Sequence, residues 1–295
     1  MPSLRHQLVA EFVRRTRGGA YASPRLLHDK IGRQRWSRGF EPPPALRRRF
    51  EVRRADVAGR TCFTVRASAN PAGRLMYVHG GGFVFEITKH HWAFVGRLAA
   101  ALDVEVTVPI FPLAPEHTHL ETHPFLSAVH TGLSRAVGPV TVAGDSTGAT
   151  LALGVAQRAV RDGVPPPGRL LLISPLADPT LTNPAIAEVA PRDPWLRLGG
   201  LREGIRLWSG GDDLAGAELN PLNGSLAGLP DTTIVTGTRD LTNPDTRVLR
   251  DRLVAQGVPV RYHEHAGLIH VFPLLPVPEA ARVLAGLAAS VPQPV

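Results

Sequence analysis

Three short stretches of this 295-residue chain carry residues that could do chemistry together: Gly-Asp-Ser-Thr-Gly at 144–148, His-Gly-Gly-Gly at 79–82, and an aspartate and a histidine near the end, Asp240 and His270. A serine hydroxyl attacks a carbonyl only when a base takes its proton and a third group fixes the tautomer of that base. Ser146 sits between an apolar run, "VTVAGD", and a helical one, "TGATLALGVAQRAV". A sharp strand-to-helix turn would hold it above the helix N-terminus, with small residues, Gly144 and Gly148, two positions to either side. Asp240 and His270 each fall just past an apolar run, and the ends of adjacent strands in an α/β sheet open onto one crevice. Asp245 competes with Asp240, although the first turn of a helix gives a carboxylate an ordinary use as a dipole partner. His263 and His265 compete with His270, but they alternate within the strand as sheet-face residues do. The tetrahedral oxyanion of such an attack needs rigid N–H donors, and amides of a glycine run supply them without side-chain obstruction. On this reading Gly81 and Gly82 are glycines because an anion must approach their amides. Gly80 serves the turn, and His79 orients the loop. A side chain added at Gly82 then costs turnover more than stability.

The elements that must position these groups alternate from residue 51 onward. "FEVRRADVAGRTCFTVRAS" reads as an antiparallel pair turning near Gly59. "RLMYVHG", "EVTVPIF", "PVTVAGD", "RLLLISP", "TTIVTGT" and "VPVRYHEHA" follow as short strands, with helices over 88–102, 120–136, 147–162, 244–257 and 278–290. This is the pattern of an α/β fold, a mostly parallel sheet of about eight strands with helices on both faces. Two stretches interrupt it, 1–48 and 177–218, and insertions of that length are commonly lids. The expected organisation is therefore an N-terminal part of a helical cap (1–48), the body (49–176), a cap insertion (177–218) and the rest of the body (219–295).

The net charge of +8 is concentrated at the start: residues 1–66 hold 15 Arg and Lys30 against 5 acidic residues, a balance of +11. "ALRRRFEVRRADV" lacks the interleaved aromatics of a nucleic-acid stacking platform, so a solvated surface is the reading and no nucleic acid is expected. Cys62 is the single cysteine, so no disulfide can form within the chain. No apolar run reaches the roughly 20 residues of a membrane span, and the N-terminus lacks a long apolar core before a cleavage site, so a cytoplasmic setting is expected.

The stretches "HGGG" (79–82), "LAPEH" (113–117), "GDSTG" (144–148), "GTRD" (237–240) and "GLIHVF" (267–272) together resemble the hormone-sensitive-lipase-like esterases, also called bacterial family IV or the α/β-hydrolase fold-3 group. The resemblance spans roughly residues 50–290, and "SPLADPTLTNPAI" and "DPWL" look like that family's cap. It implies the α/β-hydrolase fold with a helical cap, Ser146 as nucleophile, Asp240 and His270 as its partners, and an oxyanion hole of the Gly81, Gly82 and Thr147 amides. Asp145 matches the aspartate of the subgroup with a Gly-Asp-Ser elbow. Thr147 stands where the family commonly has Ala, and Ile110, Phe111 and Pro112 replace its usual Tyr-Arg region.

The expected activity is serine carboxylester hydrolysis of short- to medium-chain acyl esters without a cofactor. Hydrolysis of lactones, amides or acetylated small molecules by the same triad is the alternative, and a non-catalytic receptor on this fold a lesser one. Phe83, Phe85 and Trp208, with Trp195, are candidates for the pocket wall, although cap-to-body packing is as good a use for Trp208. His119 and His123 fit no zinc motif and read as surface residues; His90 and His91 could line the entrance, with solvated residues the better reading; and the resemblance implies that Glu116 and His117 pin a loop near the site. The expected partner is a small-molecule ester, with a homodimer allowed for and no metal.

Overall fold

Side chains that alternate along each strand divide the core into two layers, one on each face of a single sheet. Leu75 and Tyr77 point into one layer and Met76 and Val78 into the other, as period-two geometry requires. The computed structural model describes residues 1–289 apart from 17, 38 and 137. Residue 290, the expected end of the last helix, and residues 291–295 of the last body segment lie outside the described residues.

The strands are β1 (Glu51–Val57), β2 (Arg60–Arg66), β3 (Gly73–Val78), β4 (Val104–Pro109), β5 (Val140–Asp145), β6 (Arg169–Ile173), β7 (Asp231–Arg239) and β8 (Val260–Ile269), in the spatial order β1-β2-β4-β3-β5-β6-β7-β8. β1 pairs antiparallel with β2 and β2 antiparallel with β4; the remaining pairs are parallel. The central parallel strands β3, β5 and β6 are buried along most of their length because helices cover both faces, whereas the edge strand β8 alternates and is partly exposed.

The helices are α1 (Leu4–Thr16), α2 (Pro24–Ser37), α3 (Pro44–Arg47), α4 (Lys89–Leu102), α5 (His119–Ser134), α6 (Thr147–Arg161), α7 (Ile186–Val189), α8 (Leu198–Ser209), α9 (Asn243–Ala255) and α10 (Pro278–Ala289). α4 and α10 cover one face, through Phe94, Leu98 and Leu284. α5, α6 and α9 cover the other, through Leu126, Leu151 and Leu249. No helix among the described residues is long and apolar enough to cross a membrane.

The N-terminal segment divides its contacts. α2 and the turn before it pack on α8 of the 177–218 insertion, so closely that a Cβ at Gly200 would lie 2.5 Å from Tyr21 Cα. α1 and the residue before it instead brace the body: Ser3 N–H donates to Glu279 of α10, and His6 Nε2 accepts the N–H of Ile269, the residue before His270.

Candidate active site

Ser146 follows the last residue of β5 and precedes the first of α6, with φ 54° and ψ −125°. A non-glycine residue at positive φ carries strain that only a well-packed surround maintains. That surround explains the flanking glycines. A Cβ at Gly144 would lie 2.3 Å from Gly148 O, and one at Gly148 would lie 2.2 Å from Val78 O. Strand, turn and helix therefore approach one another over bare backbone, and the spacing Gly-x-Ser-x-Gly is the sequence form of that approach.

The structure brings Ser146, His270 and Asp240 together. Ser146 Oγ is 2.9 Å from His270 Nε2, and His270 Nδ1 is 2.9 Å from Asp240 Oδ1. All three are buried. Asp240 Oδ1 also accepts the N–H and the hydroxyl of Thr242. A carboxylate so bonded keeps the Nδ1 proton of His270 in place, which leaves Nε2 free to accept from the serine. Burial lowers the His270 pKa, but the charge of Asp240 and its hydrogen bond, with Asp193 and Asp145 behind it, outweigh burial and leave it raised. Asp245 lies in the first turn of α9, where Asn183 bonds it, and burial pushes it up to about 6. His263 and His265 are within β8.

The glycine loop faces the elbow. His79 Nδ1–H donates to Gly80 O at 2.8 Å, and its ring stacks on Phe111, one of the residues that depart from the family pattern. Burial brings the His79 pKa down to about 3, so the ring is neutral. The Gly81 carbonyl accepts from Val84 and Phe85, closing a turn directly after the glycines. The glycines divide their reasons differently from the sequence expectation. Gly81 and Gly82 have φ +142° and +65°, conformations in which an L side chain is strained. Gly80 is the position of close approach to the elbow: a Cβ there would meet Asp145 Oδ2 at 2.5 Å and Ser146 Cβ at 2.9 Å. Thr147 accepts the Phe83 N–H at 3.4 Å, so the hydroxyl that replaces the usual alanine ties elbow to loop.

Asp145 joins the same two pieces. Its Oδ1 accepts from Gly80 N–H at 3.0 Å and from the Tyr77 hydroxyl, and its Oδ2 lies 3.4 Å from His91 Nε2. Burial pushes the Asp145 carboxyl up, but His91, Tyr77 and the Gly80 amide pull it below its ordinary value. His91 is therefore a buried partner and not a solvated residue.

A cavity of about 120 Å³ opens onto Ser146 and His270. Phe85 lines it, and Phe83 and Trp208 do not. Those two rings stack on each other, centroids 3.9 Å apart and 5° from parallel, each 1% exposed, where α8 packs on the glycine loop. Phe83 is turned there by its own positive φ of 64°. The apolar wall comes from Trp195, Leu196, Leu274 and Leu275, and Trp195 stands edge-on to His270 at 6.0 Å. Lys30 and Gln34 of α2, with Glu86 and His90, supply polar lining. His119 and His123 are buried, their rings set against Trp208, because α5 packs against α8 there. Glu116 does tie its loop down, accepting from Arg35 of α2, whose guanidinium also donates to Ala114 O at 3.0 Å.

A serine, histidine and aspartate at the carboxyl ends of β5, β8 and β7, in that chain order of serine, acid, histidine, on a sheet with helices on both faces, define the α/β-hydrolase class. The family described as the alpha/beta hydrolase fold matches residues 75–274. An esterase of Acinetobacter venetianus is 28% identical over 81% of this chain and 80% of its own length. An acetyl-hydrolase of Streptomyces hygroscopicus is 27% identical over 97% and 96%. Among solved structures, that of EstE5 soaked with p-nitrophenyl butyrate superposes with a TM-score of 0.85 at 25% identity, covering 97% of both chains. The chain belongs to the alpha/beta hydrolase fold family, within it to the hormone-sensitive-lipase-like esterases, and is a carboxylesterase-type hydrolase.

Proposed function

We propose that the protein cleaves short- to medium-chain acyl esters through an acyl-enzyme formed on Ser146. The unbroken hydrogen-bond chain from Ser146 Oγ through His270 to Asp240 carries this reading. As Ser146 Oγ attacks the ester carbonyl, its proton passes to His270 Nε2, and Asp240 stabilises the imidazolium. The amides of Gly81, Gly82 and Thr147 receive the oxyanion, in a buried setting where such donors act with little screening. His270 then protonates the departing alcohol, and a water activated by the same nitrogen releases the acid.

The size of the cavity supports a short acyl group. An apolar cavity of about 150 Å³ accommodates benzene, and this one is about 120 Å³. The polar lining of Lys30, Gln34 and Glu86 favours a second reading within the same chemistry, removal of an acetyl group from a polar small molecule. The name of the Streptomyces relative, an acetyl-hydrolase, agrees with it. A receptor without turnover would not need all three groups of the triad. The single cysteine, buried Cys62, supports a cytoplasmic setting.

Ser146→Ala measured against p-nitrophenyl esters from acetate to palmitate tests the proposal. Loss of turnover on every ester, with acetate or butyrate the best substrate of the parent, is the expected outcome. Retained turnover in the variant would refute the mechanism, and faster cleavage of palmitate than of butyrate by the parent would refute the chain-length reading.

A further inference from the structure

A second carboxylate lies beside the triad, and no step of the chemistry above uses it. Asp193, in the cap insertion, is 1% exposed. Its Oδ1 accepts the N–H groups of Trp195 at 2.7 Å and Leu196 at 3.0 Å, and its Oδ2 accepts the N–H of Leu241 at 2.8 Å. The first two bonds form a local Asx turn. The third reaches 48 residues along the chain to the neighbour of Asp240. Trp195 and Leu196 are cavity wall, so one carboxylate fastens that wall to the loop carrying the triad acid.

We propose that Asp193 is a positioning residue for the reaction, clamping the Trp195–Leu196 wall to the Asp240 loop so that both keep one geometry about His270. The inference rests on the triad reading above. The groups whose charges face Asp193 are Asp240 and His270; the Arg197 guanidinium bonds its backbone carbonyl and not its carboxylate. Burial, then the charge of Asp240, pushes the Asp193 carboxyl up to about 6, while the charge of Asp193 raises His270 in return.

Asp193→Asn separates the two halves of the clamp. The amide oxygen can keep the bonds from Trp195 and Leu196, but its NH₂ then faces the Leu241 N–H, donor against donor. With active sites counted by an irreversible serine-directed phosphonate, kcat is expected to fall about 10- to 100-fold, the cost of a small displacement of catalytic groups, with KM little changed. The acid limb of the kcat/KM profile should move to lower pH, because His270 loses a neighbouring negative charge. Asp193→Ala frees the wall as well and should also raise KM. An Asp193→Asn enzyme with parental kcat, KM and acid limb per titrated site, whatever its Tm, overturns the proposal. Ser146→Ala run alongside keeps the two ideas apart. If it is inactive while Asp193→Asn is parental, the clamp alone fails; if it turns over, the triad reading fails first.

Discussion

Replacing Asp145 by Asn tests whether the glycine loop and the nucleophile are held as one unit. The Tyr77 hydroxyl and the Gly80 N–H both donate to Oδ1, and His91 Nε2 faces Oδ2. Thr88 N–H donates to His91 Nδ1 at 2.9 Å, so the ring proton of a neutral His91 lies on Nε2. An amide can keep its oxygen toward Tyr77 and Gly80, but its NH₂ then confronts the His91 N–H. Losing a hydrogen bond to a charged acceptor costs about 1.5–3 kcal/mol, and the two surviving bonds weaken as the charge disappears. Removing a buried charge offsets part of this. The net destabilisation is about 2–3 kcal/mol, which for a chain of this size lowers Tm by roughly 3–5 °C. The loop moves relative to Ser146, so kcat should fall about 10- to 100-fold with KM little changed. The charge of Asp145 also raises His270, so the acid limb should shift to lower pH. Calorimetry and initial rates on p-nitrophenyl acetate, per titrated active site, give all three readings. Tyr77→Phe, which keeps the charge, should lower Tm and leave the acid limb in place. An Asp145→Asn enzyme with parental Tm and kcat would refute the reasoning.

Gly80→Ala should be more damaging than the exposed Gly132→Ala in α5. The new methyl group would lie 2.5 Å from Asp145 Oδ2 at the first site and meets nothing within 4 Å at the second. Overpacking of this kind costs about 1–3 kcal/mol, whereas relief of a helical glycine stabilises by up to about 1 kcal/mol; thermal melts of the pair should move in opposite directions. The kcat/KM of the parent should rise with pH to a midpoint above 6.5, since His270 acts only when neutral and its pKa is raised. Stability runs the other way: the folded state holds that proton more tightly, so the His270 contribution is present below the unfolded value and fades as pH rises through the folded pKa. A midpoint below 6.5, measured by titrating released acid, would contradict the assigned environment.

What the sequence makes legible here is what depends on neighbours in the chain. The elbow, the glycine loop and the two residues just past β7 and β8 are local spacings set by backbone geometry, and all of them meet at one end of the sheet. Contacts between distant residues are invisible in the same string. Tyr77 to Asp145, Asp193 to Leu241 and His6 to Ile269 span 68, 48 and 263 residues. Dihedrals are equally hidden: three consecutive glycines do not say which of them needs positive φ. A period-two reading of "GFVF" puts Phe83 and Phe85 on one side, although the left-handed turn at Phe83 separates them. The "DPWL" stretch does hold a local signal, an aspartate two residues before an amide, as in an Asx turn. Asp145, Asp193 and Asp240 each hold backbone amides in place, and all three charges raise the same histidine. Neutralising any one should therefore displace the acid limb in the same direction, while only the loss of Asp240 removes the group that fixes the tautomer of the base.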